Sequence, residues 1–193
     1  MTREYSHFEG REPFFEKILS RWRTGLARKY IPANSRILDL GCGFTGSFLK
    51  KIENNISHGV GVDVSVSKEL NSPKLELIEH DLNDPLPFSD DNFDIVTSLA
   101  NLEHLNKPDQ YLNETYRVLK PGGKLLLTTP SLWAKPVLEL LSRLGLISRR
   151  EIEDHKNYFS KKILASLCKK AGFSSISHRY FQFGMNNFLY AKK

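Results

Sequence analysis

Ile37-Leu38-Asp39-Leu40-Gly41-Cys42-Gly43-Phe44-Thr45-Gly46 is the stretch whose reading decides the fold. Arg36–Leu40 is a short apolar run that predicts a buried strand, and Thr45–Glu53 predicts the helix that follows it. Between them Gly41, Gly43 and Gly46 fit G-x-G-x-x-G literally. Glycines let the chain turn tightly and let a ligand approach the backbone closely. Asp63 lies 20 residues after Gly43, at the end of a second apolar strand, Gly59–Asp63. A carboxylate there can accept both hydroxyl hydrogens of a ribose. An ordinary turn would explain a lone glycine triplet. The strand before it, the helix after it and the acid at the next strand end argue for a nucleotide-type site instead.

Further along the chain, Lys74–His80 reads as a third strand and Phe93–Leu99 as a fourth. Asp109–Leu119 is a helix by the spacing of Leu112, Tyr116 and Leu119, and Lys124–Thr129 is a fifth strand after the turn Pro121-Gly122-Gly123. Strands alternating with helices predict a parallel sheet covered on both faces. Upstream, Phe14, Phe15, Ile18, Leu19, Trp22, Leu26 and Tyr30 recur every three or four residues, one face of a helix that Pro32 stops. Downstream, residues 131–147 form an apolar, helical stretch and 149–158 a polar loop. Ser160 caps a helix that runs to Ala171 and ends at Gly172. Ser175–Phe183 and Asn187–Ala191 close the chain as an antiparallel pair around Gly184. The expected fold is α/β and Rossmann-like. It has a seven-stranded, mostly parallel sheet, helices on both faces and a C-terminal antiparallel hairpin. One domain over 1–193 is expected, with a helical segment at 1–35 and a substrate-site insert at 131–158.

The length of 193 residues suits one domain with a full core. No apolar run approaches the roughly 20 residues that span a bilayer. The start, MTREYSHFEGREPF, lacks the apolar region of a secretory signal. Two cysteines, Cys42 and Cys168, are too few for a disulfide framework or a zinc site. Cys42 fills a small-residue position in the loop, and a cytoplasmic location is expected. The net charge of +6 is unevenly spread. Residues 1–36 carry 8 basic and 4 acidic side chains, 37–146 carry 10 and 15, and 147–193 carry 10 and 3. The acidic middle suits a cationic ligand. A solvated surface explains the basic ends better than nucleic-acid binding, because the lysines and arginines form no recognisable module.

Asp39 separates two cofactor readings. A dinucleotide site usually keeps this position apolar, because a carboxylate would repel the pyrophosphate. S-adenosylmethionine (SAM) carries a cationic ammonium and a cationic sulfonium, so a carboxylate beside it attracts. A purely structural role, tying backbone N–H groups at the turn, is compatible with the same residue.

The chain then resembles the class I SAM-dependent methyltransferases, especially their small type 11 group, along nearly its whole length. The acid of the family's D-x-G-x-G loop matches Asp39, and its glycines match Gly41 and Gly43, with Cys42 between them. Asp63 matches the ribose-binding acid, and Val64 is expected to pack on the adenine. His80-Asp81-Leu82 resembles the third strand end, which implies that Asp81 accepts from the adenine amino group and the Leu82 backbone touches the ring. Phe93–Val96 through Asn101–His104 resembles the fourth-strand motif, whose backbone around Leu99 faces the methionine part. Arg117–Gly123 resembles the turn before strand five, and Lys161–Phe173 the last helix and its exit. Ala100 and Asn101 depart from the family's polar-then-apolar pair, and no separate cap domain is visible. The substrate wall is therefore expected from the N-terminal helix and the 131–158 insert.

The implied donor is SAM and the implied product S-adenosylhomocysteine. Transfer from a sulfonium needs the acceptor held in line, which is catalysis by proximity. A hydroxyl acceptor also needs a base, and histidine suits neutral pH. His104, after the fourth strand, and His155, in the 149–158 loop, are the candidates. A supporting role in its own loop is the competing reading of His104. Tyr158 and Trp133 are candidate walls for the acceptor; packing in the core is the competing reading. Glu103 and Asp94 lack histidine–carboxylate spacing, so no metal is expected. The function expected is methyl transfer to a small-molecule or lipid- or sugar-linked acceptor. RNA or protein methylation, an NAD-dependent oxidoreductase and a degenerate scaffold are the alternatives.

Overall fold

In the computed structural model, residues 14–143 and 156–193 are described. Helix α1 spans Phe14–Arg28. Strand β1 (Arg36–Leu40), helix α2 (Ser47–Ile52), strand β2 (His58–Asp63), strand β3 (Leu75–Glu79) and strand β4 (Phe93–Leu99) follow. Then come helix α3 (Pro108–Val118), strand β5 (Leu119–Pro130), helix α4 (Ala134–Arg143), helix α5 (Lys161–Lys170), strand β6 (Ser174–Phe181) and strand β7 (Asn186–Lys192). The sheet order is β3-β2-β1-β4-β5-β7-β6. The pairs among β1 to β5 are parallel; β7 is antiparallel to both β5 and β6. The seven-stranded, mostly parallel α/β architecture read from the sequence is the observed one.

The central strands are buried on both faces, as their apolar runs dictate. Leu38, Leu40, Val60, Val62, Val96 and Leu125 belong to one core layer, closed by Leu112 and Val118 of α3 and Leu164 and Cys168 of α5. Ile37, Ile95 and Leu126 belong to the other, with Leu26 and Ala27 of α1 and Phe48, Leu49 and Ile52 of α2. Ser160 caps α5, its hydroxyl accepting from the Ile163 amide at 3.3 Å.

The structure departs from the sequence reading at several elements. Strand β5 begins at Leu119: Phe93 pairs with Leu119 and Ile95 with Lys124, so Pro121-Gly122-Gly123 is a bulge inside the strand. Helix α2 begins two residues late, because Gly46 sits at φ 56° and continues the turn. Helix α4 begins only at Ala134; the rest of the predicted stretch, 144–147, lies outside the described residues. The apolar face of α1 is not all core, for Ile18 and Trp22 are 44% and 46% exposed. That helix turns Leu26 and Ala27 to the sheet, and Ile18 and Trp22 fall on its outer side.

Candidate functional site

The strand order reverses between β1 and β4, and open α/β sheets bind ligands at the carboxyl ends of strands at such a point. The glycine loop leaves β1 there. The Gly41 and Cys42 amides donate to the Val62 carbonyl at 2.8 and 3.2 Å, which folds the loop over the end of β2. Gly41 has φ +80°, and a Cβ on it would stand 2.6 Å from the Asn101 side chain. Gly43 has φ +72°, and a Cβ there would meet nothing within 4 Å. Gly41 thus serves packing, while Gly43 borders open space that a ligand can enter.

Two carboxylates stand beside this loop. Asp63 is buried; its Oδ2 accepts from the Gly43 amide at 2.9 Å and its Oδ1 from the Val64 amide at 2.8 Å. A carboxylate has about four acceptor sites, so these bonds orient it and still allow a ligand's paired hydroxyls. Asp39 is also buried, and its Oδ1 accepts from the Thr97 hydroxyl at 2.6 Å. The structural role expected of Asp39 is therefore filled by a threonine hydroxyl of β4 rather than by turn amides. Burial pushes the Asp39 carboxyl up to about 7; the Thr97 bond opposes this and the charge of Asp63 adds to it. Burial, with the charges of Asp39 and Asp63, also pushes the Cys42 thiol up, which keeps that thiol inert.

The other predicted contacts line the strand ends. Val64 is half-buried beside Asp63. Leu82 belongs to the core, so its backbone alone is available to a ligand. Asp81 is exposed and accepts from the amide and side chain of Asn83 at 2.9 and 2.8 Å. The Asn83 amide above all holds its carboxyl below the usual range. Among the described residues the buried Nε2 of His80 has no hydrogen-bond partner. Leu99 is half-buried at the end of β4 and is followed by Ala100 at φ 56°, a left-handed conformation that costs a non-glycine residue of order 1 kcal/mol or more. Strain at the end of β4 thus sits beside the glycine loop.

Three polar residues here, Thr97, Ser98 and Tyr111, escaped the sequence reading, and a fourth, Asn101, entered it as a departure from the family pattern. Thr97 holds Asp39; the Tyr111 hydroxyl donates to Ser98 at 2.7 Å, and Asn101, which packs on Gly41, donates to Tyr111 at 3.5 Å. The one available signal was the Thr-Ser pair that breaks the apolar run of FDIVTSL after Val96.

Leu102–His104 forms a 3₁₀ turn after β4, and the His104 amide donates to Asn101 at 3.0 Å. The Lys156 and Asn157 amides donate to the Glu103 carbonyl, and the Asn157 side chain to the Leu105 carbonyl at 2.8 Å. Tyr158 is thereby carried to the same turn. It is half-buried, and burial pushes its phenol up, with Glu139 and Glu103 adding to the effect. The Lys135 ammonium lies 5.8 Å from its ring centre. Phe159 is core, whereas Trp133 is 79% exposed and packs in no core. His155 lies outside the described residues. Among the described residues no three His, Cys, Asp or Glu side chains gather as a metal site would require.

An open depression of about 410 Å³ lies at the other end of the strands, between Asn34, Asp94, Lys120 and Gly123. There Lys120 reaches Asp94 at 2.7 Å, and the Arg36 amide donates to Asp94 at 2.8 Å.

Residues 10–178 match the model of the methyltransferase domain family. The chain belongs to that family. It is 31% identical over 189 residues to a demethylmenaquinone methyltransferase of Clavibacter sepedonicus, covering 85% of this chain and 76% of the relative. A protein of the same name from Lactiplantibacillus plantarum is 27% identical, covering 84% and 81%. Among solved structures, a SAM-dependent methyltransferase from Archaeoglobus fulgidus superposes with a TM-score of 0.68 at 17% identity, covering 93% of this chain and all of that one. The methyltransferase uses SAM as its donor. The buried acid pair Asp39 and Asp63 and the open side of Gly43 fit a cationic nucleoside.

Proposed function

We propose that this methyltransferase acts on a small, largely apolar acceptor, free or carried on a lipid. The observation that supports this reading is the surround of the glycine-loop end, where Tyr158 packs at the Leu102–His104 turn and Leu132 and Trp133 follow β5 with their apolar surface exposed. Two relatives named as demethylmenaquinone methyltransferases lend it further weight.

In this reading Asp63 accepts the ribose hydroxyls, Val64, Asp81 and the Leu82 backbone hold the adenine, and Gly41, Cys42 and Gly43 let the donor lie against the loop. Asp39 and the backbone near Leu99 face the methionine part. SAM supplies a methyl group already activated on a sulfonium. The protein's part is placement: Tyr158 and Trp133 orient the acceptor, and the buried acids supply negative potential. His104, in the turn that follows β4, takes the acceptor's proton where the acceptor is a hydroxyl that must lose it to react. His155 is a second candidate for that role.

The test is incubation of the protein with methyl-labelled SAM and a fractionated metabolite extract. Label should enter the organic-soluble fraction. Label found only in RNA or protein would overturn the acceptor class. His104→Ala should lower turnover at least tenfold with SAM affinity unchanged, if it acts as the base; normal turnover would remove that role.

A further inference from the structure

The outer face of α1 carries Lys17, Arg21 and Arg28, with Lys29 just past its end, and all four are exposed. Ile18 and Trp22 lie on the same face. No carboxylate side chain is described on it. The Trp22 ring meets the edge of Phe183 at 6.0 Å, and Phe183, at the tip of the β6–β7 turn, is 94% exposed. That turn is braced rather than loose. The Gln182 side chain donates to the Leu19 carbonyl of α1 at 2.8 Å, and the Ser131 hydroxyl donates to the Gly184 carbonyl at 2.8 Å. Ser131 leads directly to α4, where Val137 and Leu140, with Trp133 just before the helix, are spaced by four and three residues and form an exposed apolar stripe. A fixed scaffold therefore presents bulky apolar side chains and a row of cations at the carboxyl end of β5.

We infer that this surface docks the protein on an anionic bilayer. Three features favour a membrane over other occupants. Isoleucine, valine and leucine gain from immersion among acyl chains but stack poorly on bases, so RNA fits the set less well. A second copy would set the cations of α1 against like charge. Tryptophan and phenylalanine beside lysine and arginine are the side chains that settle at the headgroup level. Among the described residues no helix is long and apolar enough to cross a membrane, so the contact is interfacial. Its purpose rests on the proposed apolar acceptor, which would reach the site from the lipid phase. The binding itself does not depend on that reading.

The chain's only two tryptophans, Trp22 and Trp133, both lie on this surface, so intrinsic fluorescence reports on it directly. The full chain is titrated with vesicles of phosphatidylcholine alone and of phosphatidylcholine with about one third phosphatidylglycerol. Anionic vesicles should blue-shift the emission and sediment the protein, and added salt should weaken both effects. Phe183→Ser, and separately Arg21→Glu with Arg28→Glu, should each reduce partitioning about tenfold while SAM affinity stays unchanged. No shift and no sedimentation would overturn the inference, as would equal binding to neutral vesicles or variants that bind like the parent. Tighter binding to polyuridylate than to the vesicles would also overturn it and mark a nucleic-acid face. SAM binding measured alongside separates failure here from failure of the methyltransferase site.

Discussion

Asp39 carries two opposed demands. Its carboxyl stands at about 7 in the ligand-free protein because burial disfavours its charge, yet a cationic donor favours that charge. A carboxyl raised in the folded state stabilises the fold most fully below the unfolded value, near pH 4. That contribution is lost as pH rises through about 7. The loss is on the order of 4 kcal/mol. Asp39→Asn should therefore raise the unfolding midpoint of the free protein at pH 8 by several degrees and change it little at pH 4. The same variant should weaken SAM binding at least tenfold, since it removes the charge. For the parent protein, SAM affinity should rise with pH between about 6 and 8 as Asp39 ionises; a flat profile would show that its charge plays no part. Asp63→Ala should weaken SAM at least tenfold and loosen the loop, because the Gly43 amide loses its acceptor. Unchanged affinity would refute the ribose role. Asp39 and Asp63 were legible because strand, glycine and acid occur at a fixed spacing. Thr97, Ser98 and Tyr111 were not, since their role appears only when β4 and α3 are brought beside β1.

At the level of elements, the caps and turns can be tested without touching the site. Ser160→Ala removes the bond to the Ile163 amide and should cost about 1 kcal/mol by denaturant titration, with SAM binding intact. Gly41→Ala should do the reverse in emphasis. It forces a side chain onto Asn101 and into a left-handed conformation, so it should lower stability by about 1–3 kcal/mol and weaken SAM as well. An unchanged unfolding curve would show that Asn101 gives way freely. The sequence located β4 to the residue, because an apolar run bounded by polar turns has one plausible extent. It missed the start of β5 at Leu119, where Pro121-Gly122-Gly123 signals a turn and the sheet uses it as a bulge. It also grouped Ile18 and Trp22 with Leu26 on one apolar face of α1. Helical spacing identifies a face but does not say what covers it, and Ile18 and Trp22 lie outside.

Over the whole molecule, the order β3-β2-β1-β4-β5 puts the glycine loop with Asp39 and Asp63 at the switch between β1 and β4, while β7 and β6 extend the sheet toward the exposed apolar surface. A ligand held at the switch point touches β1, β2 and β4 together, so saturating SAM should stabilise the fold by about 2.7 kcal/mol at one hundred times its dissociation constant. The most direct measurement is calorimetric titration of the full chain with SAM, S-adenosylhomocysteine and NAD at pH 8. Both sulfur nucleosides should bind at one site per chain, more weakly to Asp63→Ala, and NAD should give no heat of binding. Binding of NAD with neither sulfur nucleoside would contradict the assignment of this site to SAM.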